Sequence, residues 1–133
     1  MNPYDVQSIA IAVPASRAFR FIADPRNLPQ WTHAFKAAGE TTALMATPQG
    51  SVEIGLAVRA SERHGTIDWE MTFPGGAVAT ACSRLVENGP ASSIYVFVLK
   101  APPVAQEAVE GTLAQQRGIL RDELARLKGL LEQ

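Results

Sequence analysis

Apolar and polar residues alternate through much of the chain, and this pattern predicts β-strands with one buried and one solvent-facing side. The alternation is clearest over residues 51–59 and 66–73, and a first strand is predicted over residues 4–13. Turn signals containing proline, glycine or asparagine divide the middle of the chain into about six strands. Because the connections are short, these strands are expected to be neighbours in an antiparallel sheet.

Two short helices are predicted directly after the first strand. Apolar residues recur at helical spacing over residues 15–22, and Pro14 opens this helix. Asp24 ends it, because a residue before proline disfavours the α conformation. The same site can start a second short helix that carries Leu28, with Asp24 as the N-cap and Pro25 as the first helical residue.

A long C-terminal helix is predicted after Pro102, where apolar residues begin to recur at steps of three and four. This spacing runs from Val109 to Leu131 and indicates a helix of more than about twenty residues. Glycines that mark either a close contact or a bend lie on the opposite side of this helix, at Gly111, Gly118 and Gly129.

These elements predict an α+β fold that forms one domain over residues 1–133. The sheet has one apolar face and the long helix has one apolar stripe. Burying both surfaces against each other requires a curved antiparallel sheet of about seven strands around the helix.

Composition narrows the function classes. The 133 residues suit one domain, and 47% hydrophobic with 19% charged residues argues against disorder. A net charge of −1 argues against a nucleic-acid partner, and no apolar stretch is long enough for a membrane span. The N-terminus has no signal-peptide pattern, so a cytoplasmic location is expected. The one cysteine, Cys82, excludes an intramolecular disulfide.

Four local strings carry a family resemblance. They are SIAIAVPA at residues 8–15, FRFIADPRNLPQW at residues 19–31, TPQG at residues 47–50 and IDW at residues 67–69. Together with the order of elements, they resemble the START-like superfamily (SRPBCC), which includes the birch-pollen-allergen-like helix-grip fold. The polyketide cyclase/dehydrase-like branch is the most similar. The resemblance covers nearly the whole chain.

The resemblance implies a helix-grip fold with a deep apolar cavity between the curved sheet and the long helix. It implies a hydrophobic small molecule as partner, such as a lipid or a polyketide. Some members of the superfamily are cyclases or dehydratases, so the resemblance leaves open whether this chain is an enzyme.

The implied cavity defines a set of candidate ligand-binding residues. Wall candidates are Trp31, Phe35, Ile54, Leu56, Trp69, Met71, Val96, Val109 and Leu113. Polar candidates that would orient a ligand are His33, Tyr95 and Gln116. Trp31, Phe35, Trp69 and Met71 have an alternative interpretation as ordinary core, because a cavity wall and a core have similar chemistry. Glu123, at the border of the helix's apolar stripe, is expected at its solvent-exposed edge.

The orientation of one strand decides how much space the cavity has. Ala77, Ala79, Ala81 and Ser83 share one parity and are small, so an inward orientation would leave room for a ligand. The opposite orientation would bury larger residues and point Arg84 inward, where it could hold a carbonyl or carboxylate. The sequence leaves both orientations open.

Catalytic residues are not assigned by any motif. His33 is the best general-base candidate, with Arg84 or Gln116 as enolate stabilisers. His33 and His64 are the only histidines, and their separation matches no metal-binding pattern, so neither a metal nor a cofactor is expected.

Three functions therefore stand as alternatives. The leading one is binding of a hydrophobic small molecule in the internal cavity. The second is a polyketide cyclase or dehydratase that uses the same cavity. The third is a protein-interaction domain without a ligand, which would show a filled core and an exposed apolar patch. A homodimer is compatible with each.

Overall fold

The computed structural model describes residues 1–102 and 111–133. Its strands are β1 (Tyr4–Ile11), β2 (Phe35–Ala38), β3 (Thr42–Thr47), β4 (Gly50–Ser61), β5 (Thr66–Thr72), β6 (Val78–Glu87) and β7 (Ser93–Lys100). Its helices are α1 (Ala15–Ala23), a 3₁₀ turn (Pro25–Asn27), α2 (Leu28–Trp31) and α3 (Leu113–Leu131). Among the described residues, no helix is long and apolar enough to cross a membrane.

The seven strands form one antiparallel sheet in the order β1-β7-β6-β5-β4-β3-β2. Strands β2 to β7 are sequential neighbours, whereas β1 pairs with the last strand through eight residue pairs from Tyr4–Lys100 to Ile11–Ser93. The sheet curves around α3, and the predicted α+β helix-grip architecture is confirmed.

The two short helices form where the sequence predicts them. Helix α1 buries Ala18, Phe19 and Ile22 on one face. The Asp24 carboxylate accepts a hydrogen bond of 3.0 Å from the backbone N–H of Arg26, which caps the 3₁₀ turn. This turn leads directly into α2 and so brings Trp31 to the inner side of the sheet, where it is buried.

The described part of the C-terminal helix begins later than predicted. Thr112 is its N-cap: its hydroxyl accepts from the N–H of Gln115, and the Gln115 side chain accepts from the N–H of Thr112. Gly111 precedes this cap with φ of 83°, a conformation that glycine adopts without strain, and therefore lies outside the helix. The predicted beginning at Val109 lies outside the described residues.

Polar contacts fix both ends of α3 to β1. Near the C-terminus, the Lys128 ammonium donates to the carbonyl of Ala10 at 2.8 Å, and the Glu132 carboxylate accepts from the N–H of Ala12. Further along, the Gln7 side chain donates to the carbonyl of Arg117 at 2.9 Å. The helix therefore runs along the β1 edge and spans the inner face of the sheet.

Strand β6 turns its small residues inward. Ala77, Ala79 and Ala81 pack against the core, and Ser83 is buried. Arg84 is exposed on the outer face, so the alternative in which it points inward is wrong. The reason is the two-residue period of a strand, which places Ser83 and Arg84 on opposite faces.

Candidate functional site

A large cavity lies between the inner face of the sheet, α2 and the beginning of α3. Its volume is about 1110 Å³, slightly above the range of about 300–1,000 Å³ that is typical of small-molecule sites. Apolar side chains from the sheet and α2 form a large part of the wall, among them Leu28, Trp31, Phe35, Met45, Trp69, Met71, Ala81, Phe97 and Leu99. This arrangement can enclose an apolar molecule of a few hundred daltons.

Small residues on both sides keep the space unfilled. Ala81 faces the cavity from β6, and Ala114 and Gly118 face it from α3. A methyl group added at Gly118 would have no neighbouring atom within 4 Å. Small side chains at these lining positions therefore leave volume that larger ones would fill.

Four aromatic residues form a connected cluster at the sheet side of the cavity. Trp31 lies with its ring centroid 6.5 Å from that of Trp69 and 6.5 Å from that of Tyr95. Trp69 stacks on Phe97 at 5.9 Å, and Tyr95 meets Phe97 edge-to-face at 6.2 Å. Such arrangements suit the aromatic quadrupoles, and they give the cavity a rigid wall.

Tyr95 lies beneath this wall and does not reach the cavity. Its hydroxyl donates to the Ser83 hydroxyl at 2.9 Å, and Ser83 donates in turn to the carbonyl of Ile67 at 2.6 Å. Complete burial raises the pKa of Tyr95 well above its ordinary value. Tyr95 is thus a neutral, hydrogen-bonded core residue, which corrects its predicted role as a ligand-orienting group.

The cavity brings together half of the residues predicted for it. Those that line it are Trp31, His33, Phe35, Trp69, Met71 and Gln116. Ile54 and Leu56 face inward on β4 but are buried in the core and do not line the cavity. Leu113 is half-buried on α3 and does not line the cavity, and Val109 lies outside the described residues.

Val96, predicted as a wall residue of the cavity, lies on the outer face of the sheet. It neighbours Tyr95 and Phe97 on β7, and both of those side chains are buried on the inner side. Consecutive residues of a strand point to opposite faces, so Val96 faces outward. The same alternation identifies Phe97 and Leu99, two wall residues that the sequence prediction missed.

Gln116 lines the cavity with its polar side chain already engaged. Its amide nitrogen donates to the carbonyl of Gly111 at 3.1 Å. The contact joins the first turn of α3 to the residue before its N-cap. Gln116 therefore helps to hold the beginning of α3 in place. Its role in orienting a ligand stays a prediction.

Two further polar residues of the cavity, His33 and Glu123, meet where α3 approaches the segment after α2. The backbone N–H of His33 donates to the Glu123 carboxylate at 2.7 Å, and both residues line the cavity. Glu123 is half-buried rather than at a fully exposed edge, and burial raises its pKa. The histidine side chain itself is exposed. The sequence feature that points to Glu123 as a cavity residue is its position among the buried leucines of α3.

Two buried polar atoms have no hydrogen-bond partner in the described structure. They are the indole nitrogens of Trp31 and Trp69. Both side chains line the cavity. A buried donor without an acceptor costs about 1–3 kcal/mol, so these groups are energetically costly as they stand.

No cluster of metal-ligating side chains exists within residues 1–102 and 111–133. The sequence matches no family model and no curated protein. Solved structures do match. A START superfamily protein from Mycobacterium smegmatis superposes with a TM-score of 0.67 over 97% of both chains, at 16% identity. The chain has a START-like fold.

Two aromatase/cyclases share this START-like architecture. The Zhui aromatase/cyclase from Streptomyces sp. R1128 has a TM-score of 0.67 at 12% identity, with 99% of this chain and 94% of that chain covered. BexL, a di-domain aromatase/cyclase of the BE-7585A biosynthetic pathway, has a TM-score of 0.69 at 15% identity. That match covers 96% of this chain and 45% of BexL. At these identities the comparisons establish the fold.

Proposed function

We propose that this START-like protein binds a hydrophobic small molecule, either a lipid or a polyketide-like compound, in the cavity between the sheet and α3. The observation that carries the proposal is the 1110 Å³ space walled mainly by apolar and aromatic side chains. Burying apolar ligand surface there contributes about 25 cal/mol for each Å² removed from water. The few polar groups at the cavity determine the ligand's orientation.

Three features support binding over a purely structural role. Ala81 on β6 and Gly118 on α3 both line the space with minimal side chains, where a core would have larger ones. The aromatic wall is already packed, so a ligand meets a preformed surface. Solved structures with this fold include aromatase/cyclases, whose names describe small-molecule chemistry.

The first experiment is native mass spectrometry of the purified protein, followed by organic extraction. We expect an additional mass of a few hundred daltons that disappears on denaturation. The proposal is contradicted by an apo mass that stays unchanged after exposure to fatty acids, sterols and aromatic ketones. The same spectrum reports whether the protein forms a homodimer.

A matched pair of variants links any bound mass to the cavity. Ala81→Leu adds a large side chain inside the cavity, whereas Thr80→Leu adds one at the neighbouring exposed position on the outer face of β6. We expect at least a tenfold loss of binding for Ala81→Leu and none for Thr80→Leu. Equal retention in both variants would place the ligand elsewhere.

A second candidate function, cyclase-type catalysis in the same cavity, is favoured by one observation. Glu123 and His33 both line the cavity, and the Glu123 carboxyl has a raised pKa, as general acids and bases often have. The test is cyclisation of a linear poly-β-ketone thioester, followed by the absorbance of the aromatic product. Catalysis requires a rate above buffer that Glu123→Gln or His33→Ala abolishes. Arg84 has no part in it, because it lies on the outer face.

A further inference from the structure

One ionisable side chain of the cavity wall has lost part of its contact with water. Glu123 is half-buried on α3, whereas Arg121 and Asp122, which also line the cavity, are exposed. The Glu123 carboxylate accepts a hydrogen bond of 2.7 Å from the backbone N–H of His33, which approaches from the segment between α2 and β2. The cavity wall thus contains an acid whose hydration is already incomplete in the free protein.

The charges around Glu123 do not compensate for this burial. In the described part of the chain, none of the ion pairs includes Glu123. The charged or titratable groups that act on it are His33, after α2, and Arg126 and Asp122, on its own helix. The lining residues from the sheet and from α2 are apolar. Burial therefore raises the pKa of the Glu123 carboxyl, although the hydrogen bond from His33 and the charges of His33 and Arg126 oppose the change.

A ligand that fills the cavity removes further water from this carboxyl. Glu123 is half-buried and lines the cavity, so its remaining contact with solvent is reduced when the cavity is occupied. A neutral apolar ligand replaces that water without supplying a charge or a hydrogen-bond donor. The carboxylate form loses much more hydration free energy than the protonated form. The complex therefore favours protonated Glu123 more strongly than the free protein does.

We propose that binding of a neutral apolar ligand in this cavity is coupled to the uptake of one proton by Glu123, so that the protein holds the ligand in acid and releases it as the pH rises. This inference rests on the proposed function and adds a means of regulation to the same site. The proton comes from solvent and returns to it on release, and the ligand is chemically unchanged. The coupling is reciprocal, so protonation strengthens ligand binding by the same factor by which the ligand strengthens protonation.

The direction and size of the effect follow from this linkage. Affinity is highest where Glu123 is protonated in both the free protein and the complex. It then falls by at most about tenfold for each pH unit, because one proton is involved. The fall begins above the ordinary glutamate pKa of about 4.3, since burial raises the pKa of Glu123 before the ligand binds. An additional rise of about one pKa unit on binding gives a tenfold loss of affinity in total.

The affinity for 2-acetylnaphthalene tests the coupling, because this neutral probe has no group that titrates in the same range. In the wild type we expect its dissociation constant to rise about tenfold between about pH 5 and about pH 8. Calorimetry in two buffers with different heats of ionisation should show proton uptake on binding at intermediate pH. Glu123→Gln has no titrating group at this position and should bind the probe equally at both pH values.

Two control variants separate Glu123 from its titrating neighbours. Asp122→Asn removes the adjacent carboxylate, which is exposed and also lines the cavity. His33→Gln removes the imidazole and keeps the backbone N–H that donates to Glu123. Both variants retain Glu123, so both should retain the pH dependence of binding. Loss of the dependence in either control, with retention in Glu123→Gln, assigns the proton to another group and overturns the proposal.

The outcomes distinguish this inference from the proposed function. Binding of equal strength at both pH values without proton uptake overturns the coupling and leaves hydrophobic binding intact. A pH dependence that persists in Glu123→Gln also overturns the assignment. Absence of binding at every pH, up to the solubility limit of the probe, contradicts both proposals for compounds of this size. If Glu123→Gln does not fold, the proton uptake of His33→Gln decides, and a value of zero overturns the coupling.

Discussion

The two halves of α3 cross the same curved sheet and meet it in different ways. In the C-terminal half, the buried residues are Leu120, Leu124, Leu127 and Leu131. In the N-terminal half, over residues 113–119, no side chain is buried, and Gly118 and Ala114 border the cavity. One helix therefore both closes a core and leaves a binding space. Side-chain size along the helix decides which of the two forms.

The two halves of α3 are also held to the rest of the protein by different contacts. The C-terminal half is held by leucine packing, together with the contacts of Lys128 and Glu132 to β1. The N-terminal half relies on Gln7 donating to the Arg117 carbonyl and on an Arg117–Asp5 ion pair at 3.4 Å. Exposed ion pairs contribute at most about 1 kcal/mol. Stability is thus expected to reside in the filled half, and ligand selectivity in the open half.

The largest expected effect comes from emptying the filled half. Leu127→Ala removes a completely buried side chain and should lower the free energy of unfolding by about 2–5 kcal/mol. Leu113→Ala, at a half-buried position in the open half, is the matched control and should cost much less. Urea denaturation measures both values. Equal losses would show that the two halves do not differ in packing.

Removing one or the other hydroxyl of the hydrogen-bonded Tyr95–Ser83 pair should lower the free energy of unfolding by different amounts. Ser83→Ala leaves the buried Tyr95 hydroxyl without its acceptor, at a cost of about 1–3 kcal/mol. Tyr95→Phe removes that hydroxyl altogether and leaves Ser83 bonded to Ile67, so it should cost about 1 kcal/mol. Chemical denaturation compares the two. The reverse order would mean that Tyr95 has a role beyond this bond.

A smaller effect is expected from the helix glycines, and it sharpens the comparison between the halves. A methyl group at Gly118 or Gly129 meets no atom within 4 Å. Gly118→Ala and Gly129→Ala should therefore each stabilise the protein by up to about 1 kcal/mol. Only Gly118 lines the cavity, so only Gly118→Ala should change the affinity for an apolar probe of the cavity such as 2-acetylnaphthalene. An equal change of affinity in Gly129→Ala would argue against a local effect.

The smallest expected effect is a pH dependence of the free energy of unfolding that Glu123 causes. Burial raises its pKa in the folded state, so the fold favours the protonated form. Its contribution to stability is fully present below the ordinary glutamate pKa of about 4.3 and is lost as pH rises through the raised folded value. As pH increases, the free energy of unfolding of the wild type should therefore fall relative to that of Glu123→Gln. A difference independent of pH would contradict this.

Local patterns in the sequence determined the order and type of the elements. Two-residue alternation placed Ile67, Trp69 and Phe73 on the inner face, and the Asp24–Pro25 pair predicted the boundary between the short helices. These signals work because strand alternation, proline geometry and helix capping depend on neighbouring residues alone.

Only the tertiary structure decided which inward residues line a cavity and which fill the core. Ile54 and Trp69 both lie on the apolar parity of an alternating strand, yet only Trp69 lines the cavity. The tertiary structure also decided that small residues of β6 face inward and that Glu123 meets His33. The physical reason is that empty volume depends on side chains brought together from distant elements. A single strand or helix shows which residues form one surface. Only the packing of the elements sets the distance between that surface and the one that faces it.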